Sequence, residues 1–495
     1  MSDTYRFAGS VLAVAGAGMV AVLANRMTER VRVPAPLLML VGAAIVAAAV
    51  PAVSPPSEET VEHLVSLALV LILFDGGMHI GWRRFRAAAA PIAVVGVVGT
   101  FATTAAAAAI LHVAFGLDWY PALLVATAVA PTDPAIVFSV LGQRVISGRS
   151  STILEGESGA NDPVGIALMG ALIAAGGLSG SAFVDVGATF VVQMVVGAAV
   201  GAVGGPALLW FMRSVPLPGE ALYPLRTVAA AFLLFGAATL AHGSGFLAVF
   251  VAGILIGDAR APYKREIERF CSALGSLGEI VAFIVLGLTV DLSQLARPDV
   301  WLPGVVLGLA LAVLIRPVLV GLCLLPARLE LNERTFVLFA GLKGAVPILL
   351  GVLLRAAHVP KAERLYGIVV VVVVFSVLVQ GSLVPEVARR LRLPIRTVEP
   401  EPWTIGVRLR DEPEGVHRLR VAASSPAEGR TLDELADTVG DIWVSIVVRD
   451  RVLVPVRSDT RLEAQDDVVV LADPELASAL TAAFSPARTA SAGDT

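Results

Sequence analysis

Leu154-Glu155-Gly156-Glu157-Ser158-Gly159-Ala160-Asn161-Asp162-Pro163 is the stretch on which the reading of this chain turns. It sets three carboxylates and an amide at the head of an apolar run, Val164-Gly165-Ile166-Ala167-Leu168-Met169. An ionisable side chain in hydrocarbon costs at least ~3 kcal/mol, so such groups are rare there and mark a site. Glu157, Asn161 and Asp162 lie too close together to be one stray polar residue. They read as an ion site inside a membrane span.

The rest of the chain supplies the membrane. Its 495 residues are 56% hydrophobic and 16% charged, against roughly 25% charged in soluble domains. Apolar runs of about 20 residues, long enough to span, recur to residue 387. The expected fold is therefore an all-α polytopic membrane protein of about 13 transmembrane helices, followed by a small cytoplasmic α+β domain. The spans are 8–25, 35–53, 61–79, 88–114, 119–142, 152–177, 183–212, 222–241, 243–257, 273–292, 300–326, 334–356 and 364–387. The first follows only Arg6 and lacks a small-residue cleavage site, so it reads as a mature span and not a signal peptide. Cys271 and Cys323 have neither disulfide nor metal-ligand spacing.

Loop cations test that count through the positive-inside rule. With the N-terminus outside, cytoplasmic loops hold Arg26, Arg30, Arg32, Arg83, Arg84, Arg86, Arg144, Arg149, Arg213 and Arg226. They also hold Arg260, Lys264, Arg265, Arg269, Arg328 and Arg334, with Arg389, Arg390, Arg392 and Arg396 after the last span. Outside loops hold only Arg6, Arg297, Arg355, Lys361 and Arg364. A missed span would scramble this alternation. The chain is thus read as multi-pass in the inner (plasma) membrane, with its C-terminus in the cytoplasm and lipid as its surroundings. No nucleic-acid partner is expected.

Domain limits follow composition. Residues 1–393 form the membrane domain, 394–413 a proline-rich linker, 414–485 the cytoplasmic domain and 486–495 a disordered tail. Alternating β-branched stretches predict strands at Thr404–Arg410, His417–Val421, Ile442–Val448, Arg451–Val456 and Val468–Leu471. Helices are expected at Thr431–Thr438 and Glu475–Ala483. No GxGxxG fingerprint supports a dinucleotide fold.

Two spans carry helix breakers near their middles. The fifth reads Ala128-Val129-Ala130-Pro131-Thr132-Asp133-Pro134, the twelfth Gly341-Leu342-Lys343-Gly344-Ala345-Val346-Pro347. Proline removes a backbone donor and pushes its predecessor out of helical geometry. Irregular backbone at membrane depth survives only where protein or a watery cavity satisfies it. One interrupted span in each half points to a transporter site between inverted repeats. A broken helix also exposes half-helix ends of opposite partial charge. Asp133 is expected at an N-terminal end and Lys343 at a C-terminal end, with the Thr132 carbonyl free to ligate a cation.

The remaining polar residues then divide by role. Asp162, buried, binds a proton or a metal cation in competition. Ser158, one turn earlier, offers an oxygen ligand. Asn161 fixes its neighbours without adding charge, so exchange at one carboxylate moves no net charge. Glu157 and Lys343 are expected to form a structural ion pair between the sixth and twelfth spans. Asp133 either joins the network or caps a half-helix. Arg316, beside Pro317, is expected to tie helix carbonyls or control access. Asp75 and Glu279 are placed in an access funnel, and Glu155 in its solvated mouth.

At these residues the chain resembles the monovalent cation:proton antiporters, in particular the NhaP-type branch with an Asn-Asp pair in the sixth span. The resemblance rests on Phe74-Asp75-Gly76-Gly77, Pro131-Thr132-Asp133-Pro134, Gly156 to Pro163 and Gly341 to Pro347. It implies a homodimer whose protomers each have a core of spans 4–6 and 11–13 and a separate dimerisation domain. It further implies that Asp162, Ser158 and the Thr132 carbonyl bind the ion, that Asp133 belongs to the site, and that Glu157 pairs with the cation of the twelfth span. The branch usually has arginine where this chain has Lys343. The tail resembles the RCK-C (TrkA C-terminal) regulatory domain. That resemblance implies potassium/proton exchange under cytosolic control and a nucleotide ligand such as a cyclic dinucleotide on the tail. No other cofactor is expected.

Two other readings fit parts of the sequence. An ion channel or sensor with a regulatory tail would use the same charges. Gly156-Glu157-Ser158-Gly159 also matches the GxSG string of an intramembrane serine protease, with His112 or His242 as base. The protease reading leaves Asp162 without a role, a channel would carry current where an electroneutral exchanger would not, and the chain is not read as an enzyme. The activity expected of the chain is antiport of K+, or Na+, against H+.

Overall fold

Hydrocarbon offers no partner for a backbone N–H or C=O, so a spanning segment must satisfy its own. The spans of this chain do so as helices. The structure is a computed structural model. It describes residues 16, 19, 34–49, 56–141, 144–146, 149–178, 182–327, 329–393, 395–397, 415–450 and 452–486. The first expected span apart from two positions, Arg26, Arg30, Arg32, most of the linker with the strand at Thr404–Arg410, and residues 487–495 lie outside these.

Every expected span from residue 35 onward coincides with helix. In chain order these are α1 (Ala35–Ala49), α2 (Glu58–Ala93), α3 (Thr100–Phe115), α4 (Trp119–Val129), α5 (Pro134–Leu141) and α6 (Arg149–Ala175). Then come α7 (Ala182–Ser214), α8 (Leu222–Leu240), α9 (Gly245–Gly257), α10 (Lys264–Leu288) and α11 (Pro298–Ala310). The last are α12 (Leu331–Phe339), α13 (Ala345–Ala356), α14 (Ala362–Phe375) and α15 (Ser382–Arg390). Wider π-helical turns occupy Val94–Gly99, Leu311–Val320 and Ser376–Gly381. The third and fourth spans run on through one break, Gly81, whose φ of 67° suits glycine. Helix resumes there because Asp258 accepts the Arg83 N–H at 2.6 Å.

These helices pack as two sets. The first half of α2 lies with α1 and α7–α10, and α3–α6 lie with α11–α15. The second half of α2 reaches across to α6, where Ile92 meets Gly156. A feature absent from the sequence reading is a two-stranded antiparallel ribbon in the loops. β1 (Arg144–Ile146), between the fifth and sixth spans, pairs with β2 (Ile395–Thr397), inside the stretch expected to be linker.

The chain divides into two compact units at residues 405 and 406. In the second, β3 (Val416–Arg420), β4 (Ile442–Arg449), β5 (Val452–Val454) and β6 (Asp467–Ala472) form one antiparallel sheet in the order β3-β6-β4-β5. Helices α16 (Leu432–Val439) and α17 (Ala477–Phe484) close its core with Leu435, Leu480 and Phe484. Thr431 and Glu434 make a reciprocal capping box at the start of α16. Asp466, fully buried, accepts two hydrogen bonds from Arg449 at 2.9 and 2.8 Å.

Candidate ion site

Both expected helix breaks are present, and they meet. α4 ends at Val129 and α5 starts at Pro134; α12 ends at Phe339 and α13 starts at Ala345. Each break leaves orphan N–H and C=O groups. The Asp133 N–H donates to the Leu342 carbonyl at 2.8 Å, so one break satisfies the other. The Asp133 carboxylate accepts the Ala135 N–H at 2.9 Å and also takes N–H groups of Ile136 and Ala345. It therefore faces the positive ends of α5 and α13 together. A Cβ at Gly344 would fall 1.9 Å from Asp133 Oδ2, so only glycine lets the carboxylate reach both ends.

Lys343 takes the opposite pole. Its Nζ donates to the carbonyls of Ala130 at 2.8 Å and Pro131 at 3.0 Å, at the negative end of α4. Its own backbone N–H donates to Ser376 Oγ at 3.1 Å. Ser376 donates to Gln380 Oε1 at 3.0 Å, and Gln380 Nε2 to the Phe339 carbonyl at 3.4 Å. Two side chains of one π-helical turn thus bridge the second break from end to end. Sequence reasoning passed over Ser376 and Gln380; the available signal was two polar residues four apart in a valine-rich span.

α6 lies against this crossing. Glu157 and Asn161 are 2% exposed, Asp162 7% and Ser158 8%. Asn161 Nδ2 donates to Thr132 Oγ1 at 2.8 Å, and the Thr132 N–H donates back to Asn161 Oδ1 at 3.4 Å. The amide holds the first break in place. Ser158 meets the Asp162 carboxylate from one turn away. Pro163 has no N–H for the Gly159 carbonyl, which loosens α6 beside Asp162. Asp162 has no ion-pair partner among the described residues.

The expected Glu157–Lys343 pair is not formed. Glu157 pairs instead with Arg316, from the π-helical turn Leu311–Val320, through two bonds of 2.6 and 2.9 Å. Arg316 Nε and Nη2 donate on to the Leu338 and Val337 carbonyls at 2.8 and 3.1 Å. The reason is shape. A planar guanidinium matches a carboxylate fork, whereas a compact ammonium suits two carbonyls. Gly341 admits the arginine, since a Cβ there would lie 2.0 Å from Arg316 Nε. Arg316 is 6% exposed, and Glu157 and two carbonyls engage its guanidinium. Its tie to helix carbonyls stands.

Toward the expected cytoplasmic end, Asp75 Oδ1 accepts from Ser272 Oγ at 3.1 Å and lies 3.3 Å from His79. This joins α2 to α10. Glu155 accepts from Ser151 at 2.8 Å. Glu279, on α10, buries an Oε1 that has no hydrogen-bond partner among the described residues. His112 stacks on Trp119, with Nδ1 bound to the Leu117 carbonyl.

The geometry has counterparts in known proteins. Residues 18–390 match the sodium/hydrogen exchanger transmembrane family, and residues 416–485 the TrkA-C domain. The chain is 36% identical over 336 residues to the K(+)/H(+) antiporter NhaP of Alkalimonas amylolytica, covering 67% of this chain and 57% of that one. It is 31% identical over 478 residues to the K(+)/H(+) antiporter NhaP2 of Shewanella oneidensis, covering 94% and 82%. Its fold matches the sodium proton antiporter MjNhaP1 from Methanocaldococcus jannaschii with a TM-score of 0.62 at 22% identity, over 75% of this chain and 99% of that chain.

Proposed function

The chain belongs to the sodium/hydrogen exchanger family, and on that premise we propose that Asp162 is the group at which it exchanges a monovalent cation for a proton. It is a membrane antiporter and not an enzyme. The observation that carries the assignment is the solitary state of Asp162 in a crossing where the other charges are placed. Arg316 neutralises Glu157, and Lys343 is spent on helix carbonyls. A lone buried carboxylate is too costly to stay bare, so either a proton or a cation must neutralise it. The two compete for one group, which couples their movements in opposite directions.

Ser158 and the Thr132 carbonyl supply oxygen ligands, and Asn161 holds Thr132 in place for that task. The Asp133 carboxylate faces two helix N-termini, and its oxygens add attraction for a cation. Glu157–Arg316 and Asn161 contribute no changing charge, so one cation for one proton is electroneutral. Potassium is the favoured cation, on the strength of the tail and of the K(+)/H(+) antiporters it accompanies in related chains; sodium is the alternative. Asp75 and Glu279 line the cytoplasmic approach. The protein acts as a homodimer with its N-terminus outside and its C-terminus in the cytoplasm. The TrkA-C domain regulates it by binding a small ligand such as a cyclic dinucleotide.

The test is proton flux in proteoliposomes with potassium and sodium supplied separately. Potassium is expected to collapse an imposed proton gradient without current under voltage clamp, and Asp162→Asn to abolish the response in a folded protein. A well-folded wild-type protein that answers no alkali cation overturns the proposal.

A further inference from the structure

An ion site open alternately to each side requires the two helix sets to part at one end while they stay closed at the other. Contacts that join the sets at one end are therefore the ones a transport cycle must break. At the end opposite the arginine-rich loops, such contacts converge on Arg355. It stands in the last turn of α13, in the set that carries the ion site. Its Nε lies 3.0 Å from Glu58 at the start of α2, in the other set. It lies equally 3.0 Å from Glu363 in the first turn of α14, in its own set. Its Nη1 donates to the carbonyl of Thr289, at the end of α10, at 3.3 Å. Its guanidinium covers the ring of Tyr366, whose hydroxyl meets Thr289 Oγ1 at 2.6 Å.

We propose that Arg355 is a partner-switching latch: it holds this end closed through Glu58 and Thr289, and retains Glu363 alone when the sets part. The inference rests on the antiport reading above. Three features of the contact suit release better than permanent attachment. First, both carboxylates are equally near, so the cation keeps a partner in either state and its charge is never left bare. Second, the Nε–H makes no hydrogen bond to either of them, so neither holds it in line. Third, the side chains of Arg355, Glu58 and Glu363 are 21%, 35% and 57% exposed. Exposed ion pairs are weak and exchange readily. The fully engaged Glu157–Arg316 pair, by contrast, lies within the ion-site set.

The two carboxylates should therefore act in opposite senses. Val290, which follows Thr289 in the chain, is 7% exposed. In a Val290→Cys protein, labelling by a membrane-impermeant thiol reagent reports opening at this end, after subtracting the parent chain with only Cys271 and Cys323. Glu58→Gln should speed labelling severalfold, because the closed state loses its partner. Glu363→Gln should slow it, because the open state loses its own. Tyr366→Phe should follow Glu58→Gln, and Glu58→Asp should return toward wild type. Equal or same-direction effects of Glu58→Gln and Glu363→Gln overturn the latch and leave a structural tie. Labelling is read without cation flux, so a failed latch and a failed antiport reading are told apart. Tyr366→Phe and Glu58→Asp keep the test decisive if a glutamine variant does not fold.

Discussion

Glu157 and Lys343 show how far residue types alone carry a pairing. Opposite charges in an apolar core must be matched, and their number called for one buried pair. The fold chose Arg316 for Glu157 because only a guanidinium reaches both carboxylate oxygens and two carbonyls at once. The choice has a measurable consequence. Glu157→Gln strands a buried guanidinium and is expected to cost about 3–5 kcal/mol. Lys343→Met leaves two carbonyls unsatisfied and is expected to cost about 1–3 kcal/mol. Thermal unfolding in detergent should rank the two in that order. The reverse order would restore lysine as the partner of Glu157.

At the scale of elements, the two broken helices work as one unit. Asp133 N–H to Leu342 C=O, Asp133 across two helix N-termini and Lys343 on the end of α4 join one break to the other. Gly344→Ala places a methyl group on the Asp133 carboxylate. The expected result is about 1–3 kcal/mol of overpacking and a marked fall in exchange, measured by unfolding and by proton flux. A silent Gly344→Ala would mean that the carboxylate is not needed at both ends. The tail offers an independent case. Thr431→Ala removes the cap of α16 and should cost about 1 kcal/mol, read as faster hydrogen exchange in α16 amides. The breaks were legible in sequence because glycine and proline act through their own backbones. The Ser376–Gln380 bridge was not, since it depends on which neighbour a π-helical turn faces.

For the whole molecule, the family match gives a transporter and the TrkA-C match a compact second unit, to which the proposed function assigns control. Deleting residues 400–495 is expected to leave cation-driven proton flux and to abolish its response to a cytoplasmic ligand. Complete loss of flux from a well-folded membrane unit would make the tail part of the transport machinery. The latch belongs to this scale as well, because it has meaning only between two helix sets.

What the amino-acid sequence determined is what local chemistry dictates. Among the described residues, apolar runs fixed the spans, proline and glycine fixed the breaks, and alternating β-branched residues fixed the strands of the tail. The Glu157–Asp162 cluster marked the candidate site, since charge in hydrocarbon needs a purpose wherever the neighbours lie. Tertiary structure decided everything that requires knowing who stands opposite. It gave Arg316 to Glu157, two carbonyls to Lys343, the span of two helix ends to Asp133 and a shared arginine to Glu58 and Glu363. It also left Asp162 without an ion-pair partner among the described residues. A charge announces in sequence that it must be compensated; which group compensates it depends on distances of a few ångströms that only the packed helices set.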